Sequence, residues 1–305
     1  MDLDGVVFPL PVLAASGCYG VGRDSGGLGD VRRLGGVVTR SLTYDAAKGS
    51  PTPRLAESPS GILTSLGGQN AGVKDFLVAD LPRLVKTGVP VVVSIAGSSL
   101  EEYLRVASAL QNVSGITALE VCLSAADEQH GGIPFYARRD LMADVVGTVS
   151  RQSRYPVFAK LPPLVPDLVE SARTCVRVGA HGLTLIDSVP AMAVDVRKLR
   201  PRLATAIGGL SGPAIRPIAV GAVFSVARAL PDVPIMGVGG ITTGEDAVEF
   251  LLAGAWAVQV GTAALVNPSA PAEIAQGILT YLREKGFSSP ADLRGKLRVH
   301  PEGPA

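Results

Sequence analysis

A chain of 305 residues with 47% hydrophobic content is long enough for one large core or two small ones. Its 28 Lys and Arg against 27 Asp and Glu leave a formal charge of +1, so no strong field draws in nucleic acid or an anionic membrane surface. Cys18, Cys122 and Cys175 are odd in number and widely spaced, which excludes a disulfide framework or a CxxC metal pair and predicts a reduced, cytoplasmic setting. His130, His181 and His300 form no HxH or HxxxH spacing, so a histidine-based metal site is not expected.

The first residues, "MDLDGVVFPLPVLAAS", carry acidic groups where a secretory signal is basic, and no apolar run reaches the roughly 20 residues of a membrane span. Short runs rich in Val, Ile and Leu then recur. They are "VLAAS" (12–16), "GVVTRSL" (36–42), "VPVVVSIAG" (89–97), "TALEVCLS" (117–124), "YPVFAKL" (155–161), "GLTLIDS" (182–188), "VPIMGVGG" (233–240) and "AVQVGT" (257–262). Runs of this kind, without strict alternation, suit strands of a parallel sheet covered on both faces. Amphipathic stretches such as "SLEEYLRVASALQ", "DLMADVVGTVSRQS", "DLVESARTCVRVG" and "GEDAVEFLLAG" lie between them. Eight such units predict an α/β fold, a (β/α)8 TIM barrel spanning 1–305 as a single domain. An open doubly wound sheet is the alternative. It would want a GxGxxG turn after the first strand, and "SGCYGVG" opens no clear helix.

One segment fits no barrel helix. "AAKGSPTPRLAESPSGILTSLGGQNAG" (46–72) is rich in Pro, Gly and Ser and leaves the C-terminal end of the second strand, where barrel active sites are built. In the last third, "GGLSGPAI" (208–215), "GVGGI" (237–241) and "VGTA" (260–263) put glycines at strand ends. Glycine lets backbone amides approach an anion, and the loops after strands seven and eight are a frequent phosphate site in barrels.

Five stretches closely resemble the dihydroorotate dehydrogenase family, class 1, nearest its B branch. They are "LTLIDSVPAMAVDV", "GGLSGPAIRPIA", "GVGGITTGEDAVEFLLAGAWAVQVGTA", "PRLAESPSGILTSLGGQNAGV" and "VVVSIAGS". The resemblance runs over nearly the whole chain. It implies FMN at the C-terminal mouth of the barrel. There, in the family, dihydroorotate gives a hydride to flavin N5 while a loop base removes a proton.

The resemblance also implies cofactor residues. Ser16 and Gly17 match the first-strand turn beside the flavin, and Ser41 matches a small residue next to the ring. Lys160 matches the lysine at the pyrimidine end, where a cation stabilises negative charge on reduced flavin. Ile186 matches a backbone contact, and Gly212, Gly239, Gly240, Gly261 and Thr262 match the phosphate side. Ser94 and Cys122 stand where the family has flavin-facing asparagines.

The substrate positions depart from the pattern. The family's Asn-x-Ser-Cys-Pro-Asn is Cys122-Leu123-Ser124-Ala125-Ala126-Asp127, so its catalytic cysteine aligns with Ala125. Thr64 replaces an asparagine, Asp187-Ser188 replaces Asn-Thr, and Arg40 replaces a substrate-touching lysine. An ionised aspartate only accepts hydrogen bonds, so these changes predict a substrate other than dihydroorotate, richer in N–H donors or cationic. Arg40 would clamp a carboxylate or neutralise Asp187 or Asp127. The alternatives are a genuine dihydroorotate dehydrogenase with an unusual base, and a non-catalytic flavin-binding subunit. Asp127 is the first candidate for the base, then Asp187 and Ser124, with the loop histidine His130 weaker. Class 2 of the resembled family carries an N-terminal membrane extension, and this chain starts almost directly at the barrel, so a quinone at a membrane is not expected. The chain has no iron–sulfur cysteine cluster, so electrons must pass to another protein, a small acceptor or oxygen. The expected partners are a small-molecule substrate, an electron-transfer subunit and a second copy in a homodimer.

Overall fold

The computed structural model describes residues 1–19, 31–130 and 132–298. Each of the eight apolar runs forms a strand: β1 (Val12–Ala14), β2 (Gly36–Val38), β3 (Val91–Ile95) and β4 (Ala118–Cys122). They are followed by β5 (Val157–Leu161), β6 (Gly182–Leu185), β7 (Ile235–Val238) and β8 (Ala257–Val260). Each pairs in parallel with the next, and β8 returns to β1 through Val258↔Val12 and Val260↔Ala14. The barrel is therefore closed, and the open-sheet alternative is set aside.

Alternate residues of the strands serve two cores. Leu119 and Val121 of β4, with Ala159 and Leu161 of β5, face outward into one large cluster under the helices. Ala118, Phe158, Met236 and Ala257 face inward, near the strands' N-terminal ends. There they meet Leu3, Val6 and Phe8, brought in by a hairpin of Asp2–Leu3 and Val6–Val7 that closes the barrel floor. Both faces being buried explains why the strands read as unbroken apolar runs.

The expected helices form at Leu100–Leu110, Arg139–Gln152, Leu168–Arg177 and Gly244–Ala253. Side-chain caps set three of their starts. Ser99 accepts from Glu102 N, Asp167 accepts from Glu170 N, and Thr243 with Asp246 makes a capping box.

The excursion after β2 builds part of a lid. Leu55–Ser58 and Gly61–Thr64 form an antiparallel hairpin. Gly61–Thr64 pairs with Gly208–Ser211, and that strand pairs with Val189–Ala191. The resulting four-stranded antiparallel sheet joins the insertion after β2 to the insertion after β6 across the barrel mouth.

Candidate active site

Above the apolar floor the barrel interior turns polar. Glu120 is 0% exposed, Lys160 is 6% exposed, and Thr184 and Gln259 are buried with them. Lys160 Nζ lies 3.6 Å from Glu120 Oε1. Glu120 Oε2 accepts from Thr184 Oγ1 at 3.0 Å and from Gln259 Nε2 at 2.9 Å. A charge this deep persists only when paired. Burial pulls the Lys160 pKa down, but Glu120 and then Asp187 outweigh burial and hold it above the ordinary lysine value.

Lys160 reaches the base of a cleft at the mouth. Ser16 and Gly17 line it after β1, Ile186, Asp187 and Ser188 after β6, and Thr64 from the lid. Ile186 is held by its N–H, which donates to Val238 O at 2.9 Å. Gly212, Gly239, Gly240, Gly261 and Thr262 complete the wall of the cleft. Thr262 Oγ1 donates to Ser211 Oγ at 2.8 Å, tying this wall to the lid.

Glycine is required in this wall. Gly240 has φ +75°, and a Cβ there would sit 2.7 Å from Arg216 Cβ and 2.8 Å from Gly212 O. Arg216 is itself fixed behind the loop by ion pairs to Asp246 and, at 3.3 Å, Glu249. Burial pushes the Asp246 carboxyl up, but hydrogen bonds from Thr242 and Thr243 and the Arg216 charge outweigh it, so the net shift is downward.

Acid–base groups converge on Asp187. Its Oδ2 accepts from Ser124 Oγ at 2.7 Å, and its Oδ1 accepts from Ser188 N at 2.7 Å. The Cys122 thiol lies 4.0 Å from Oδ2. Burial first, and Asp187 second, push the Cys122 thiol up to about 11. Burial and Asp187 also raise the Tyr136 hydroxyl. Ala125, at the family's cysteine position, packs against the main core.

The other expected residues sit beside this group. Ser41 and Ser94 share a hydrogen bond at 2.8 Å, and Arg40 donates to Gln69 O at 3.4 Å. The backbone of Asp127 pairs with Ile133, while its side chain and that of His130 lie outside the described residues, as does His300. Sequence reasoning missed Glu120, Cys18 and Tyr136. Glu120 had a readable signal, a lone charge inside an apolar strand, two residues before Cys122. Cys18 directly follows Ser16 and Gly17 and lines the same cleft.

A barrel with a glycine wall after its last strands and a fixed cation at its mouth suits an enzyme that uses a phosphorylated redox cofactor. The comparisons define the class further. The chain matches the dihydroorotate dehydrogenase family over residues 1–282. It belongs to that family and is a flavin-dependent oxidoreductase. It is 42% identical to the dihydroorotate dehydrogenase B (NAD(+)) catalytic subunit of Geotalea daltonii over 299 residues, 98% of each chain. It is 44% identical to the protein of that name from Desulforudis audaxviator over 291 residues, 95% of this chain and 94% of the relative. The Pelobacter propionicus catalytic subunit is 41% identical over 297 residues, 97% of each chain. This end-to-end similarity overturns the expectation of a substrate other than dihydroorotate. That expectation weighed the altered substrate positions above the rest of the chain. Among the described residues no helix is long and apolar enough to cross a membrane.

Proposed function

We propose that the chain binds FMN and oxidises dihydroorotate to orotate as the catalytic subunit of a B-type enzyme. The observation that carries this reading is a glycine wall and Lys160 lining one cleft, in a chain matching such subunits end to end. The donor set fits FMN. Gly212, Gly239, Gly240, Gly261 and Thr262 offer backbone without bulk to a phosphate, and Lys160 offers a cation to the electron-rich end of the ring. When bound, FMN supplies the hydride acceptor.

The chain's own residues handle the proton. Ala125 cannot take it, and Cys122 holds its proton too tightly to act near neutral pH. Ser124 is hydrogen-bonded to a carboxylate, the arrangement that turns a hydroxyl into a base. As Ser124 Oγ takes the proton from substrate carbon, its own proton passes to Asp187 Oδ2. Ser188 N holds the other carboxylate oxygen, which keeps Oδ2 aimed at Ser124. The relatives are named as NAD(+)-linked catalytic subunits, and a partner subunit that passes electrons to NAD(+) is the counterpart proposed here.

The test uses the purified chain, dihydroorotate and an artificial dye acceptor. Bound FMN and dye reduction that depends on dihydroorotate are expected. An FMN-loaded protein that dihydroorotate neither bleaches nor turns over would sink the reading.

A further inference from the structure

The pair at the barrel centre goes beyond proton handling. Lys160 and Glu120 belong to neighbouring strands, with Phe158 level with Glu120 and Lys160 one inward step above it. Lys160 is level with Cys122 and Thr184 and also lines the cleft, whereas Glu120 is wholly buried beneath it. The carboxylate is held from the far side. Thr184 and Gln259 both donate to Oε2, leaving Oε1 toward the ammonium without a hydrogen bond of its own. At 3.6 Å the pair is longer than a hydrogen bond, so Glu120 supplies charge to Lys160 without binding its N–H groups tightly.

We propose that Glu120 is the buried counter-ion of Lys160, a positioning residue that keeps the ammonium charged in the cofactor cleft and would thereby set the potential of a bound flavin. The inference rests on the reading above that FMN would occupy the cleft Lys160 lines. The groups that face Lys160 are Glu120 from β4, Asp187 from the end of β6, and the thiols Cys122 and Cys18. Only Glu120 among them lies wholly beneath the ammonium, out of reach of substrate and solvent.

Two consequences separate this role from simple packing. With Glu120 neutralised, the ammonium is no longer offset, and reduced flavin is favoured while Lys160 stays protonated. The buried amine also loses its main support, so it deprotonates as pH rises and the gain turns into a loss. The potential of wild type should show no lysine-linked break from about pH 6 to about pH 10, near the ordinary lysine pKa.

The experiment measures FMN content and flavin potential across that range for wild type, Glu120→Gln, Lys160→Met and the double variant. Glu120→Gln should favour reduced over oxidised flavin by roughly tenfold near pH 6, about 30 mV upward for a two-electron couple. The difference should shrink and reverse as pH rises, and that reversal should be lost in the Lys160→Met background. If Glu120→Gln does not fold, Glu120→Asp, which keeps the charge but withdraws it by a methylene, should give a smaller shift of the same sign. A flavin-loaded variant whose potential tracks wild type at every pH would overturn the inference while leaving the site reading intact. So would a reversal with pH that persists undiminished without Lys160. Wild-type protein that takes up no flavin would overturn both.

Discussion

Ser124 Oγ lies 2.7 Å from Asp187 Oδ2, joining the loop after β4 to the end of β6 across the intervening β5. General base catalysis contributes about 10²–10⁴-fold. Ser124→Ala and Asp187→Asn should therefore each slow dihydroorotate-dependent dye reduction by a factor in that range. The double variant should be little worse than either single one, because the two act as a unit. Flavin content should not change, since the phosphate wall is elsewhere in the cleft. Rapid-reaction bleaching of the flavin reads this directly, and full-rate bleaching in the double variant would exclude the pair as base.

Gly240→Val should empty the site. Its Cβ would meet the backbone of Arg216 and Gly212, and φ +75° is strained for any branched residue. The purified variant should carry less than about a tenth of the wild-type flavin, a loss of at least about 1.4 kcal/mol in binding. Flavin absorbance per mole of protein measures it, and wild-type occupancy would contradict the proposed cradle.

The three thiols should resist modification in the native protein. Burial lifts Cys18, and it lifts Cys122 to about 11 and Cys175 to about 12. At about pH 8 roughly one Cys122 in a thousand is thiolate, against about a quarter for a free cysteine. Labelling with a chromogenic disulfide should be slow when folded and stoichiometric after denaturation. A fast-reacting native thiol at Cys122 would count against its assignment as inert.

Asp246 should make part of the stability dependent on pH. Its folded pKa is depressed, so its contribution is present above the unfolded carboxylate value of about 3.9 and is lost as pH falls through the folded value. Asp246→Ala removes acceptors for Thr242 N, Thr242 Oγ1 and Thr243 N and should cost about 2 kcal/mol at neutral pH. Urea melts at neutral and acidic pH test this. The gap between variant and wild type should close in acid, and an equal gap at both would refute the linkage.

The barrel was legible because every strand is covered on both faces, and that leaves apolar runs such as "VFAKL" and "VPIMGVGG" in plain view. The lid strands were not. Leu55–Ser58 alternates exposed and half-buried residues within a Pro- and Ser-rich segment, and its hairpin partner Gly61–Thr64 pairs in turn with a strand from beyond β6. The residue types of the cleft could be placed by resemblance, but not the pairings. Ser124 and Asp187 meet only through barrel register, which sequence order does not display. Glu120 was visible yet counted as part of a strand, because its meaning depends on Lys160 standing on the adjacent strand.

The lid has a bearing on how the molecule is made. Thr64 cannot find Gly209 until the chain beyond β6 has been synthesised, and the two insertions then close one antiparallel sheet. Such long-range pairing is slow, because loop closure precedes any stabilising contact. Barrel strands can assemble from neighbour to neighbour, but the wall that joins Thr262 to Ser211 waits for both insertions to dock. Competence to hold a cofactor is therefore a late event in the folding of this chain, and nascent or truncated forms that already contain most of the barrel should remain colourless.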